Sequence, residues 1–159
     1  MRNYARHVIY KWIGTPNFIR RVEWACLLEW LDPKEGERVL DVACGRGTLT
    51  LKIAERGCIV YGIDISENVI SSANQFAQKE KKACEFQIGD AERLPYLNGC
   101  FHKVASSSSL EHFQDDLSAL KEMSRVLKPD GTAVLTVDSL TYPIGDEIKD
   151  RHRKRICEA

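Results

Sequence analysis

The stretch Arg38-Val39-Leu40-Asp41-Val42-Ala43-Cys44-Gly45-Arg46-Gly47-Thr48-Leu49-Thr50 constrains the fold more than any other part of the chain. It opens as a short apolar run with β-branched residues and a single acid, which predicts a buried strand. It breaks at Gly45 and Gly47 and resumes at helical spacing through Leu49, Ile53 and Ala54. Strand, tight glycine turn and helix follow one another. Glycines there allow positive φ and a close approach to the main chain. The N–H groups opening the next helix lack internal partners and suit an acceptor-rich ligand. A bare Gly-x-Gly also serves as a tight turn with no ligand, so further signals are needed.

The rest of the chain repeats the alternation. Phe18 to Leu31 reads as a helix, with Phe18, Val22, Ala25, Leu28 and Leu31 as its apolar face, widened by Trp24, Leu27 and Trp30. Asp32-Pro33-Lys34-Glu35-Gly36-Glu37 stops it. The helix after the glycine turn, Leu49–Arg56, ends at Gly57, and Cys58–Ile63 forms a second apolar run closed by Asp64. Asp64 follows Gly45 by 19 residues, near the ~20 at which a carboxylate meets a ribose diol in βαβ nucleotide sites. Capping of the next helix, Glu67–Lys81, falls to Ser66. A third run, Cys84–Ile88, leads into Gly89-Asp90-Ala91-Glu92, again an acid just past a strand. Cys100–Ser106 is the fourth strand, followed by serines to Ser109, by Leu110-Glu111-His112 and by a helix over Asp115–Leu127. Lys128-Pro129-Asp130-Gly131 is a turn signal, and Thr132–Val137 is the fifth strand.

This order predicts an α/β fold: a doubly wound, mostly parallel, Rossmann-like sheet of five strands in three αβα layers, with ligands beyond the carboxyl ends of the strands. Asp41, Gly45, Gly47, Asp64 and Asp90 all map to that edge. Residues 1–17 read as an amphipathic arm or a flap over a ligand site, 18–138 as the ligand-binding domain, and 139–159 as a polar, basic tail that begins a further part. Lys+Arg and Asp+Glu both total 23, so no global field favours nucleic acid or an anionic membrane. No apolar run approaches the ~20 residues of a membrane span. The six cysteines form no C-x-x-C pair and read as reduced thiols of a cytoplasmic protein. No His/Cys/carboxylate set stands at metal-ligand spacing.

Two ligand classes compete. A dinucleotide fingerprint needs a third glycine where this chain has Thr50, and it does not place an acid four residues before the first glycine, as Asp41 is here. The segment Val-Leu-Asp-Val-Ala-Cys-Gly-Arg-Gly closely resembles the first motif of class I S-adenosylmethionine-dependent methyltransferases. Gly62-Ile63-Asp64-Ile65-Ser66, Gly89-Asp90-Ala91-Glu92-Arg93-Leu94-Pro95, Leu110-Glu111-His112 and Arg125-Val126-Leu127-Lys128-Pro129-Asp130-Gly131 extend the likeness over roughly residues 20–138. It is nearest to the small-molecule branch that includes ubiquinone and menaquinone biosynthesis methyltransferases.

The resemblance implies that the Asp41–Gly47 turn, Ala43 included, holds the methionine part of S-adenosylmethionine, with Gly45 and Gly47 permitting close approach. It implies that Asp64 accepts from the ribose hydroxyls, that Ile65 packs on the adenine, and that Asp90 accepts from the adenine amino group with backbone help from Ala91. Ser106 is expected to face the methionine end. No metal is implied, S-adenosylhomocysteine is the product, and the partner is a small-molecule methyl acceptor. His112 is the first candidate for a catalytic base and Glu111 the second. His102 stands where an acid is common, and serines replace the usual apolar residues before Leu110. The family's sheet also has seven strands, so the edge at Thr132–Val137 is expected to be covered by a missing C-terminal segment or by a second copy. A nicotinamide-dependent oxidoreductase and a non-catalytic cofactor-binding protein are the alternatives.

Overall fold

The structure, a computed structural model, describes residues 18–82 and 84–137. The expected arm over 1–17 and tail over 139–159 lie outside the described residues. The elements are α1 (Phe18–Leu31), β1 (Arg38–Val42), α2 (Thr48–Ala54), β2 (Ile59–Asp64), α3 (Glu67–Lys79), β3 (Cys84–Ile88), β4 (Phe101–Ser107), a 3₁₀ turn (Leu110–His112), α4 (Asp116–Val126) and β5 (Leu127–Thr136). The sheet order is β3-β2-β1-β4-β5, with every pairing parallel. The order reverses beside β1, so the crevice of an open α/β sheet falls at its carboxyl end.

Alternation along the strands sorts the core onto two faces. Val39, Val60, Ala105 and Val134 meet Leu27 and Leu31 of α1 and Leu49 and Ile53 of α2. Leu40, Val42, Ile63, Phe101 and Val104 meet Ala119, Met123 and Val126 of α4. Three layers result. At the amino end, Tyr61, Tyr96 and Phe101 form an edge-to-face cluster with centroids 5.0–6.3 Å apart, and the Arg38 guanidinium lies over Tyr61 and Phe101 at 5.1 and 5.7 Å. Arg125 ties α4 to the loop between β3 and β4 through Leu94 O, Tyr96 O and Asn98 Oδ1.

Three expectations change. Helix α1 is rotated from the predicted face: Leu27 and Leu31 are buried, whereas Val22 is 46% and Trp30 71% exposed. The rotation turns Glu23 toward hydroxyls at the carboxyl ends of β4 and β5. Lys128–Gly131 lies within β5 rather than before it. Leu127 pairs with Phe101 and Thr132 with Lys103, so the segment bulges from an otherwise regular ladder. Finally, the Ser66 side chain makes no cap; the Ser66 N–H donates instead to Asp64 Oδ1 at 3.0 Å. His102, found where an acid was expected, accepts the Arg38 N–H on Nδ1 at 3.0 Å.

Candidate active site at the carboxyl edge of the sheet

The ends of β1, β2, β3 and β4 enclose a cleft of about 490 Å³. Ala43, Asp64, Ile65, Asp90, Ala91 and His112 line it, so six of the expected site residues share one cavity. A smaller cavity of about 220 Å³ lies under the glycine turn and is lined by Asp41, Gly45, Arg46 and, from α1, Arg20 and Trp24. Ala43 and Ser107 belong to both linings and mark the junction.

Local geometry shows how the turn is built. Ala43 adopts φ 56°, a left-handed conformation costly for a residue with a Cβ, and sits at that junction. Gly45 has φ 55°, and a Cβ there would enter open space. Gly47 has φ 77° and lines neither cavity; a Cβ would come within 2.6 Å of the Phe86 ring. Its lack of a side chain thus serves the packing of the turn on β3, a correction to the expectation that it opens space for a ligand.

Asp64 holds two backbones together. Oδ2 accepts the Gly45 N–H and Oδ1 the Ser66 N–H, both at 3.0 Å, so β2 fastens the glycine turn of β1. Each oxygen keeps further acceptor capacity, and Asp64 lines the cleft. Asp90 Oδ1 accepts the Glu92 N–H at 2.9 Å, and Glu92 Oε1 accepts the N–H groups of Gln114 and Asp115, each at 2.7 Å. The β3 loop thereby grips the loop that opens α4, and the cleft has two tied walls. Ile65 is 73% exposed at the rim, an apolar surface with no cover from the described residues.

Asp41 is almost fully buried and accepts the Thr50 hydroxyl on Oδ2 at 2.6 Å. Burial pushes its carboxyl up to about 7, against the lowering effect of the Thr50 hydrogen bond and with further raising by the Asp64 charge. The residue in the third glycine position therefore has a purpose of its own, one legible only as an absence in the sequence. Cys44, beside it, is a buried thiol raised far out of the reactive range by burial and the charges of Asp41 and Asp64.

Besides Gly47, two expected residues do not reach the cavities. Ser106 is buried, with its Oγ donating to Val42 O at 2.9 Å and paired with Ser109 Oγ. β4 runs one residue further than expected, and the period of two puts Ser107 in the site instead. Glu111 is buried, neither of its carboxylate oxygens has a hydrogen-bond partner among the described residues, and it lines no part of the main cleft. His112 does line the cleft. Residues missed in the sequence are Ser107, Ser108 and, from α1, Glu23 and Trp24. Trp24 Nε1 donates to Ser107 Oγ at 3.0 Å, a contact across more than eighty residues with no local signature.

With the geometry in hand, comparison with known proteins is specific. The family model described as "Methyltransferase domain" matches residues 40–135, more than half of the chain. Demethylmenaquinone methyltransferase of Bacillus mycoides is 36% identical over 121 residues, covering 72% of this chain and 50% of that protein. A putative methyltransferase from Bacillus halodurans superposes with a TM-score of 0.72 at 29% identity, over 84% of this chain and 57% of its own. The cyclase SpnF superposes with a TM-score of 0.69 at 29% identity, over 72% and 43%. The chain spans about half the length of the curated relatives it matches. The motif turn, the acids of β2 and β3 and the sheet order all fall inside the matched span, and the chain belongs to the methyltransferase-domain family.

Proposed function

We infer that this chain carries the cofactor-binding half of an S-adenosylmethionine-dependent methyltransferase that acts on a small molecule. One observation carries the reading: Asp64 and Asp90, from neighbouring strands, face a single cleft that shares Ala43 and Ser107 with the cavity under the glycine turn. The residues fit the group. The lone pairs of Asp64 suit a vicinal diol, exposed Ile65 suits an aromatic base, and Asp90 with the Ala91 backbone suits an exocyclic amine. The open side of Gly45 and the carboxyl of Asp41 suit a short zwitterionic chain.

Bound there, S-adenosylmethionine supplies an electrophilic methyl group on a positively charged sulfur. The chain's own part is to bind, align and exclude water. Glu92 holds the Gln114–Asp115 loop against the cleft, which keeps the two walls at fixed separation. Asp64 places negative charge beside the junction of the cavities. His112 is the residue positioned to take a proton from an acceptor that must lose one, through its ring nitrogens.

A second reading, cofactor binding without methyl transfer, is kept open by the likeness to SpnF, which is named a cyclase. The dinucleotide reading loses ground because Thr50 is tied to Asp41 where a third glycine would stand. We further read the protein as cytoplasmic: among the described residues, Cys26, Cys44, Cys58, Cys84 and Cys100 are free, and no helix is long and apolar enough to cross a membrane. β5 stands at the edge of the sheet, where more of the chain or a second copy would cover it. The test is transfer of a labelled methyl group from S-adenosylmethionine to a panel of quinols, phenols and amines by the full-length protein. Labelled product supports transfer; tight cofactor binding with no product across the panel favours the second reading.

A further inference from the structure

The run Ser106–Ser109 places four hydroxyls at the carboxyl end of β4, and each carries a single proton. The hydrogen bonds account for all four. Ser106 Oγ donates to Val42 O at 2.9 Å, which leaves Ser109 as the donor in the Ser106–Ser109 pair. Ser107 Oγ and Ser108 Oγ both donate to Glu23 Oε1 at 2.8 Å. Burial pushes the Glu23 carboxyl up, but the hydroxyls of Thr136, Ser107 and Ser108 and the Arg20 guanidinium outweigh it and hold it below the usual carboxylate range. An ionised carboxylate only accepts, so both protons point toward Glu23 and away from the cleft.

Ser107, Ser108 and Ser109 nevertheless line the cleft. Ser107 already receives Trp24 Nε1 at 3.0 Å and Arg20 Nη1 at 3.4 Å, so its oxygen is saturated. Ser108 and Ser109 present oxygens whose protons are committed elsewhere. Asp64, Asp90 and Glu92 face the same space, so the field there is negative. A wall of this kind offers lone pairs and negative potential, and no hydroxyl proton.

We propose that the serine wall selects a methyl acceptor presenting a hydrogen-bond donor, an amine, alcohol or phenol, and rejects carboxylates and phosphates at that position. The proposal rests on reading the cleft as a methyltransferase site, and it adds the chemistry of the acceptor. Ser108 receives the donor's N–H or O–H, with the Glu23 charge behind it. An anion meets lone pairs and the Glu23 carboxylate with no proton to turn toward it, a mismatch that costs binding because polar groups are left unsatisfied.

The test titrates the ¹⁵N-labelled chain, saturated with S-adenosylhomocysteine, with benzylamine, benzyl alcohol, benzyl methyl ether and benzoate, following the amides of Ser107–Ser109. The amine and the alcohol should shift those amides and bind about tenfold more tightly than the ether and benzoate. Ser108→Ala, conservative in a half-buried position, should erase the preference of alcohol over ether. Glu23→Gln removes the negative charge behind the serines and leaves only a weaker amide acceptor for their protons, and it should bring benzoate to within about threefold of benzylamine. Far-UV circular dichroism checks that each variant is folded, and Ser108→Ala decides the matter alone should Glu23→Gln not fold. Benzoate binding as tightly as benzylamine, alcohol and ether binding equally, or no probe moving those amides would overturn the proposal. Absence of S-adenosylhomocysteine binding would count against the methyltransferase reading instead, and the same panel on the ligand-free chain would still decide the serine wall.

Discussion

Asp41→Asn isolates the most unusual group in the site. In the unfolded chain Asp41 loses its proton near 3.8, whereas burial in the fold holds the proton up to about 7. Between those values the folded chain binds more protons than the unfolded chain, so stability falls as pH rises from about 4 to 7 and then levels. Displacement from 3.8 to about 7 corresponds to about 4 kcal/mol, of which roughly 2–3 kcal/mol is lost between pH 5 and 8. Asparagine keeps the shape and still accepts the Thr50 hydroxyl, but it does not ionise. Urea unfolding of both proteins at pH 5, 6, 7 and 8 measures the difference, in which every other titrating group cancels. The variant should gain on the wild type by roughly 2–3 kcal/mol across that range, whatever constant offset the amide introduces. A difference that stays level from pH 5 to 8 would show that Asp41 is already ionised, and the account of a buried, proton-holding carboxyl would be wrong.

Other substitutions probe the framework. Gly47→Ala combines φ 77° with a Cβ 2.6 Å from Phe86 Cζ, and it should cost about 2–4 kcal/mol of stability in urea unfolding; a loss below about 1 kcal/mol would mean the ring yields easily. Phe101→Ala removes a fully buried ring that contacts Tyr61 and Tyr96, and a loss of about 3–5 kcal/mol is expected in the same assay. Asp64→Ala should weaken S-adenosylhomocysteine by about 1–3 kcal/mol in calorimetry, and unchanged affinity would reject Asp64 as the ribose partner.

The fold was legible because its determinants are local. The first three strands announce themselves as apolar runs closed by an acid or a glycine, and Gly45 and Gly47 mark the turn after β1 in the sequence itself. Asp64, Asp90 and Ile65 could be placed because each sits at or just past a strand end, where an α/β sheet puts its crevice. What escaped depends on registers one residue wide or on contacts far apart in the chain. Ending β4 at Ser106 rather than Ser107 exchanges the side chain facing the core for the one facing the cleft. The α1 pattern carries apolar residues around most of its circumference, so periodicity leaves its rotation open. Glu23, which meets hydroxyls 84, 85 and 113 residues away, decides that rotation only in three dimensions. Gly47 is explained by Phe86, which lies on another strand.

The central claim is that the carboxyl ends of β1 to β4 form one adenosyl-binding cleft. Titration of the ¹⁵N-labelled chain with S-adenosylhomocysteine, with NAD as the control, tests it most directly. One-to-one binding of S-adenosylhomocysteine is expected, with amide shifts confined to residues 41–47, 63–66, 89–92 and 107–114 and none of comparable size from NAD. Shifts at Asp64 without shifts at Asp90, equal responses to NAD, or no response at all would contradict it.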